Sequence, residues 1–237
     1  MSAPEESQPA QPPGGKDLPS SALTSDVIWQ TLAAEPETGV SLLRADGLII
    51  YANRQASLGL TGLQVDEVVG KNIKDLFPEA WVRERMDLFR RMGSHNELAM
   101  IRSIWRGRQV RSTIRWIPGK GGEQNEFLVL TRFGSGSFRP EPISEAVEIV
   151  ESKLVELGRL DVLTTRELEV LALIGQGLRL KKIAEILHRA PKTIENHRLA
   201  IGRKLGETDR VRLAAIAAEA GLTMSDAALS RVRPRPD

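Results

Sequence analysis

Between Thr164 and Leu222 the chain is punctuated so often that only short helices joined by tight turns fit it. Thr164 and Glu167 have the spacing of a capping box, in which each side chain bonds the other residue's backbone N–H. The run TTRELEVLALIGQG ends at Gly175 and Gly177, with Leu168, Leu171, Ala172 and Ile174 or Gly175 along one side. LKKIAEILH follows, turning Ile183, Ala184 and Leu187 inward. Arg189-Ala190 then leads into Pro191, well placed as a first helical residue because its missing N–H would have no partner there. KTIENHRLAIGRKLG closes at Gly206, and Asp209 is the candidate cap of DRVRLAAIAAEAGL. Two short helices, a turn and a third helix with a basic side form a helix-turn-helix pattern.

The third helix can be placed on a wheel at about 100° per residue. Ile201 and Leu205 then each fall within about 20° of Ile194, giving a buried stripe flanked by His197 and Arg198. Lys192, Glu195, Asn196, Leu199 and Arg203 face the other way. From Gly175 to Arg212 there are ten Lys or Arg against four Asp or Glu, a local excess of +6 in a chain whose net charge is +2. That is the footprint of a polyanion partner. An α-helix fits the DNA major groove, and Asn, Arg, Lys and Glu read base edges while an apolar Leu199 suits a thymine methyl. From Arg139 to the C-terminus there is no aromatic residue on which single-stranded bases could stack, which favours duplex DNA over RNA. Three histidines and no cysteine make a metal site a poor reading, so His197 is expected to pack or bond backbone. No Ser-His-Asp set, phosphate loop or dinucleotide motif is present, and no enzyme is expected.

Upstream the texture changes. Residues 1–24, rich in Pro, Ser, Gln and Gly, read as a disordered arm with no secretory signal. Residues 25–134 read as one α+β domain. SDVIWQTLA is a short helix. GVSLLR and LIIYAN form a hairpin through Ala45-Asp46-Gly47. Short helical pieces follow, then a longer helix from Pro78 to Gly93, then three strand-like runs, ELAMIRSIWR, VRSTIRWI and NEFLVLTRF. Two strands, helices and three strands give an antiparallel sheet with helices on one face. Residues 135–158 read as a linker. Its segment ISEAVEIVESKLVELGRL sets Ile143, Val147, Val150, Leu154 and Leu157 on one helical stripe, a surface for pairing with a second copy. A connector packed on its own domain is the alternative. A helical domain at 159–223 and a basic tail at 224–237 complete the organisation.

The run RADGLIIYANRQASLGLTGLQVDEVVGKNIKDLFP resembles a PAS domain. Asp46-Gly47, Tyr51-Ala52-Asn53, Gly62, Gly70-Lys71 and Leu76-Phe77-Pro78 occur in the family's order. The resemblance covers about 110 residues and implies a sensor or dimerisation domain. Such domains hold haem, flavin or small molecules, or nothing at all. Zero cysteines exclude a cysteine-adduct flavin, and the helix 78–92 lacks the histidine haem would want, His95 only following it. No cofactor is expected, and a small organic ligand stays open. Trp105 and Trp116 read as core residues or pocket lining.

The later segment resembles the LuxR/GerE-type DNA-binding domain over about 60 residues. The match runs through Leu163-Thr164-Thr165-Arg166-Glu167, Glu169-Val170-Leu171, Gly177, Ile183-Ala184, Leu187, Thr193-Ile194, His197, Ile201 and Lys204-Leu205-Gly206. The resemblance implies that Glu195, Asn196 and Leu199 face bases, and that Lys192, Thr193, Arg203 and Lys204 lie near phosphates. It implies a dimerising fourth helix, on which Leu213 and Ile216 are the candidates. The family's usual cap and its Asn and Lys-Glu are replaced by Arg179, Leu180, Lys181 and Lys182, which makes Lys181 and Lys182 further phosphate candidates. Ala190 stands where a Ser is usual, and Leu199 where a basic residue is common. The expected whole is a cytoplasmic, homodimeric bacterial transcription regulator that binds duplex DNA, with RNA polymerase as a further partner and no membrane. A sigma-factor-like protein, or an interaction module that has lost DNA binding, are the competing readings.

Overall fold

Strand β1 (Thr38–Arg44) turns back on β2 (Ile49–Ala52) through the expected Asp-Gly turn. Gly47 takes φ +87°, which an L side chain resists, and the Asp46 carboxylate accepts the Leu48 N–H at 3.0 Å. A computed structural model of the chain describes residues 25–92, 97–119, 124–134 and 147–233. The proposed arm 1–24 and Ile143 lie outside the described residues.

Asn53, just after β2, ties the N-terminal domain together. Its side-chain carbonyl accepts from Val40 N and Ala56 N, both at 2.9 Å, and its amide donates to Ala33 and Thr38 carbonyls, both at 3.0 Å. A buried amide is thereby fully used, joining α1 (Ser25–Ala34), β1 and the start of α2 (Arg54–Leu60). Short helices α3 (Val65–Val68) and α4 (Ile73–Leu76) lead to α5 (Glu79–Arg91). Strands β3 (Leu98–Trp105), β4 (Arg108–Ile117) and β5 (Glu126–Phe133) follow as expected.

The sheet order is β2-β1-β5-β4-β3-β6-β7. The first five strands are antiparallel, but the sheet does not stop there. The segment expected to form a linker helix is strand β6 (Val147–Val155), parallel to β3 with Leu98 opposite Val147 and Ile101 opposite Val150. The sheet is therefore mixed, and the helix expectation is corrected. Val147, Ile149, Val150 and Val155 are β-branched and suit a pleated surface. The free edge of β3 also offers backbone donors and acceptors that only a strand can satisfy in series. The stripe meant for a second copy is dispersed as a result. Val150 packs against the N-terminal core, Val147 and Leu154 are half-buried, and Leu157 is buried.

After a 3₁₀ turn at Gly158–Val162 come α6 (Thr165–Gly175), α7 (Leu180–Ile186), α8 (Pro191–Leu205) and α9 (Arg210–Glu219). The capping box forms in full at Thr164 and Glu167, and Asp209 accepts from Val211 N at 2.8 Å. Leu213 and Ile216 are a second correction. Both are buried in this domain's own core, where α9 packs on α6, and they cannot be an exposed pairing face. The tail is a third. Residues 225–228 make a 3₁₀ turn, Ser230–Arg231 form β7 on β6, and Asp226 is 3% exposed.

The two domains share a boundary. Ile104 of β3 and Val155 of β6 belong to the same buried cluster as Leu168, Leu171 and Leu213. The tip of the β3–β4 hairpin is bonded to the connector: Arg106 N donates to the Glu156 carboxylate and Gly107 N to the Glu156 carbonyl. A Cβ on Gly107 would stand 2.8 Å from the Leu157 carbonyl oxygen, so the close approach needs glycine. Beside it Arg102 bonds Asp226 at 2.9 Å and the Gly221 carbonyl at 2.6 Å.

Candidate nucleic-acid interface

Helix α8 is held from below by Ile194 and Ile201, both at 0% exposure, with Leu205 half-buried beside them. Gly202 lets the helix sit close to the following turn, since a Cβ there would lie 2.7 Å from the Glu207 carbonyl oxygen. Pro191 occupies the first turn, and Gly206 ends the helix with φ +70°. Ala190 makes no side-chain cap, and neither does Arg179 at the start of α7.

On the outward side Lys192, Asn196, Leu199 and Arg203 are all exposed. Their spacing confines them to an arc of roughly 60° at 100° per residue. Leu199 is 46% exposed, a large apolar side chain in the middle of a polar ridge. Lys181 and Lys182 are exposed on α7, with Lys182 3.0 Å from Glu185. Thr193 is half-buried.

Two residues assigned to the DNA face are engaged inside the protein. Glu195 is paired with Arg198, with Nη2 to Oε1 at 2.7 Å, and Arg198 also donates to the Thr208 carbonyl. The Arg198 bond, working against burial, holds the Glu195 carboxyl below its ordinary value. Glu195 therefore reaches a base only by leaving this pair. Lys204 turns its ammonium to the Glu167 carboxylate at 2.6 Å. It compensates a buried acid in α6, and Lys204 reaches a phosphate only by sharing or leaving this pair. No spacing rule signals this pair, because the partners are 37 residues apart. His197 is half-buried, and among the described residues no cluster of His, Asp or Glu could hold a metal.

Glu167 and Asp226 give the chain an acid limit. Burial pushes each carboxyl up, but bonds from Lys204 and Thr164 outweigh it at Glu167, and bonds from Arg102 and Thr223 outweigh it at Asp226. Both lie below the usual range. A depressed carboxyl stabilises the fold above its unfolded pKa and loses that contribution as pH falls through the folded value. Urea midpoints should be flat from about pH 7 to 5 and drop below about pH 4. A midpoint that holds steady to about pH 2.5 contradicts this.

The N-terminal domain encloses a cavity between its sheet and helices. Its free volume is about 70 Å³, several times the ~10–15 Å³ that one water needs. Leu43, Ile49, Val68, Ile73 and Phe77 form apolar walls. Ser41, Ser103, Thr131 and Arg85 are the polar residues among the lining that bear on a ligand. Trp105 lines the cavity and donates its indole N–H to the Leu60 carbonyl at 2.7 Å. Trp116 is half-buried against the core and is not part of the lining.

Residues 161–217 match the family of bacterial regulatory proteins of the luxR type, and residues 37–132 match the PAS domain. The chain thus carries a PAS domain followed by a LuxR-type helix-turn-helix domain. The transcriptional regulatory protein UhpA of Escherichia coli is 44% identical over 57 residues, 24% of this chain and 29% of UhpA. UhpA of Salmonella typhimurium gives the same figures. The similarity therefore spans under a third of these relatives' length. Among solved structures, the ligand and DNA complex of Vibrio cholerae VqmA is 17% identical with a TM-score of 0.47, over 85% of this chain and 90% of that one. A PAS domain of an HTR-like protein from Haloarcula marismortui is 20% identical with a TM-score of 0.36, over 46% of this chain and 90% of that one.

Proposed function

We propose that this chain, in which a PAS domain is joined to a LuxR-type helix-turn-helix domain, is a cytoplasmic transcription regulator that binds duplex DNA through α8 in the major groove. The observation that carries this reading is the ridge of Lys192, Asn196, Leu199 and Arg203, exposed on one arc of a helix pinned by Ile194 and Ile201. Lys and Arg suit phosphates, Asn suits an adenine edge, and Leu suits a thymine methyl. Two copies would read two half-sites about one helical turn apart. Contact with RNA polymerase belongs to the same reading where the bound site is a promoter. Among the described residues no helix is long and apolar enough to cross a membrane. In this reading the input is a small organic molecule, and the N-terminal cavity is its candidate site.

Selection of duplexes from a random pool, followed by anisotropy titrations at about 50 and 200 mM salt, tests the reading. Specific binding with a steep salt slope is expected, and no binding at about 50 mM salt defeats it. Within that assay Asn196→Ala should erase about 1–3 kcal/mol of discrimination at one base pair and leave the melting temperature unchanged. Lys192→Ala should weaken selected and unrelated duplexes alike and reduce the salt slope by about 1. If the two variants behave the same way, the ridge does not face DNA as assigned. The β-rich first half speaks against a sigma-factor-like protein.

A further inference from the structure

The cavity holds one fixed charge. Arg85 is 6% exposed, lines the cavity and places its guanidinium 4.7 Å from the centre of the Trp81 ring, which stacks on Phe77. Its Nη1 donates to the Glu84 carboxylate. Its Nε and Nη2 have no protein partner among the described residues. Burial lowers the pKa of Arg85 and Glu84 opposes that, so the adjacent acid keeps a buried cation in place. Glu84 is less buried than Arg85, at 19% side-chain exposure against 8%. It has a second task. It accepts from Ser152 Oγ and from Lys153 N, both at 2.7 Å, and these belong to β6, the strand that leads into the DNA-binding domain.

We propose that the cavity takes a small organic acid as its carboxylate, bound on the open edge of Arg85 in competition with Glu84, and that this competition loosens β6. A planar guanidinium with free N–H groups matches a carboxylate in two-point geometry. The apolar walls suit a short hydrocarbon body. Two carboxylates sharing one buried cation leave an excess negative charge, so the one nearer solvent gives way. Glu84 is that one, and as it turns outward the Ser152 and Lys153 bonds go with it. The inference rests on the sensing role proposed for this domain, but its test uses no DNA and so fails separately from that role.

The experiment uses the full chain, with hexanoate as the probe and hexan-1-ol as its uncharged control. Binding is followed by tryptophan fluorescence and by the shift in melting temperature. Hexanoate is expected to bind at least tenfold more tightly than the alcohol. Glu84→Gln, which removes the competing charge, should tighten hexanoate about tenfold and leave the alcohol unchanged. Arg85→Met should abolish the preference for the acid. Because Arg85→Met could also fail to fold, hydrogen exchange of the wild-type Lys153 amide provides a second measurement, expected to quicken when hexanoate is added. Equal affinity for acid and alcohol, no gain in Glu84→Gln, or unchanged exchange at Lys153 with hexanoate bound each overturns the proposal.

Discussion

Replacing Arg102 with Met should destabilise the protein by about 3–5 kcal/mol, measured as the loss of unfolding free energy in urea. Arg102 is largely enclosed, at 12% side-chain exposure, and Asp226 is at 3%. The guanidinium donates to both oxygens of Asp226, at 3.0 and 2.9 Å, to Glu151 at 3.1 Å and to the Gly221 carbonyl at 2.6 Å. Removing it strands a carboxylate whose remaining donors are the N–H and hydroxyl of Thr223, each at 2.7 Å. The penalty comes from that unpaired buried charge more than from the lost attraction. Arg102→Met combined with Asp226→Leu should therefore recover much of the loss, since no charge is then left buried. A single-variant loss under about 1 kcal/mol would show that water reaches Asp226 and that the lock is weak. The pair joins β3 of the PAS domain to the turn after α9. The single variant should consequently also split one unfolding transition into two, one for each domain.

The second large effect lies under the DNA-facing ridge. Ile201→Ala should lower stability by about 2–5 kcal/mol, because Ile201 is at 0% exposure and its removal leaves a cavity between α8 and α6. DNA affinity should fall with it, and falling temperature should restore the affinity. Asn196→Ala should lose selectivity at every temperature instead, because it alters a contact and not the docking of the helix. Thermal melts paired with anisotropy at about 10 and 37 °C separate the two. An Ile201→Ala protein that melts like the wild type yet binds no DNA would place Ile201 on the interface and overturn the wheel.

The helices of the DNA-binding domain were legible because their signals are local. Thr164 and Glu167 close their capping box across three residues, and Gly206 and Asp209 stop and start helices through their own geometry. The hairpin at Asp46-Gly47 and the three long strands were legible for the same reason, a turn residue set between β-rich runs. The exposed side of α8 also followed from spacing, with the exception of the half-buried Glu195. Glu195, which the wheel turned outward, is drawn to Arg198 three residues on, a pair that helical spacing allows, whereas Lys204 is drawn to Glu167 from 37 residues away, which spacing does not reveal.

Segment 147–155 shows where local reading stops. Val147, Val150 and Leu154 fit a helical stripe, while the β-branched run fits a strand, and the residues alone do not choose. Leu213 and Ile216 were apolar on a helix face, and periodicity does not say whether such a face meets its own domain or another chain. The sequence by itself determined every element whose hydrogen bonds close within a few residues, namely α6 to α9, their caps and the β1–β2 turn. The tertiary structure alone decided β6, the burial of α9 and the Arg102–Asp226 lock, because a strand and a buried ion pair are completed by partners about 50 to 124 residues away.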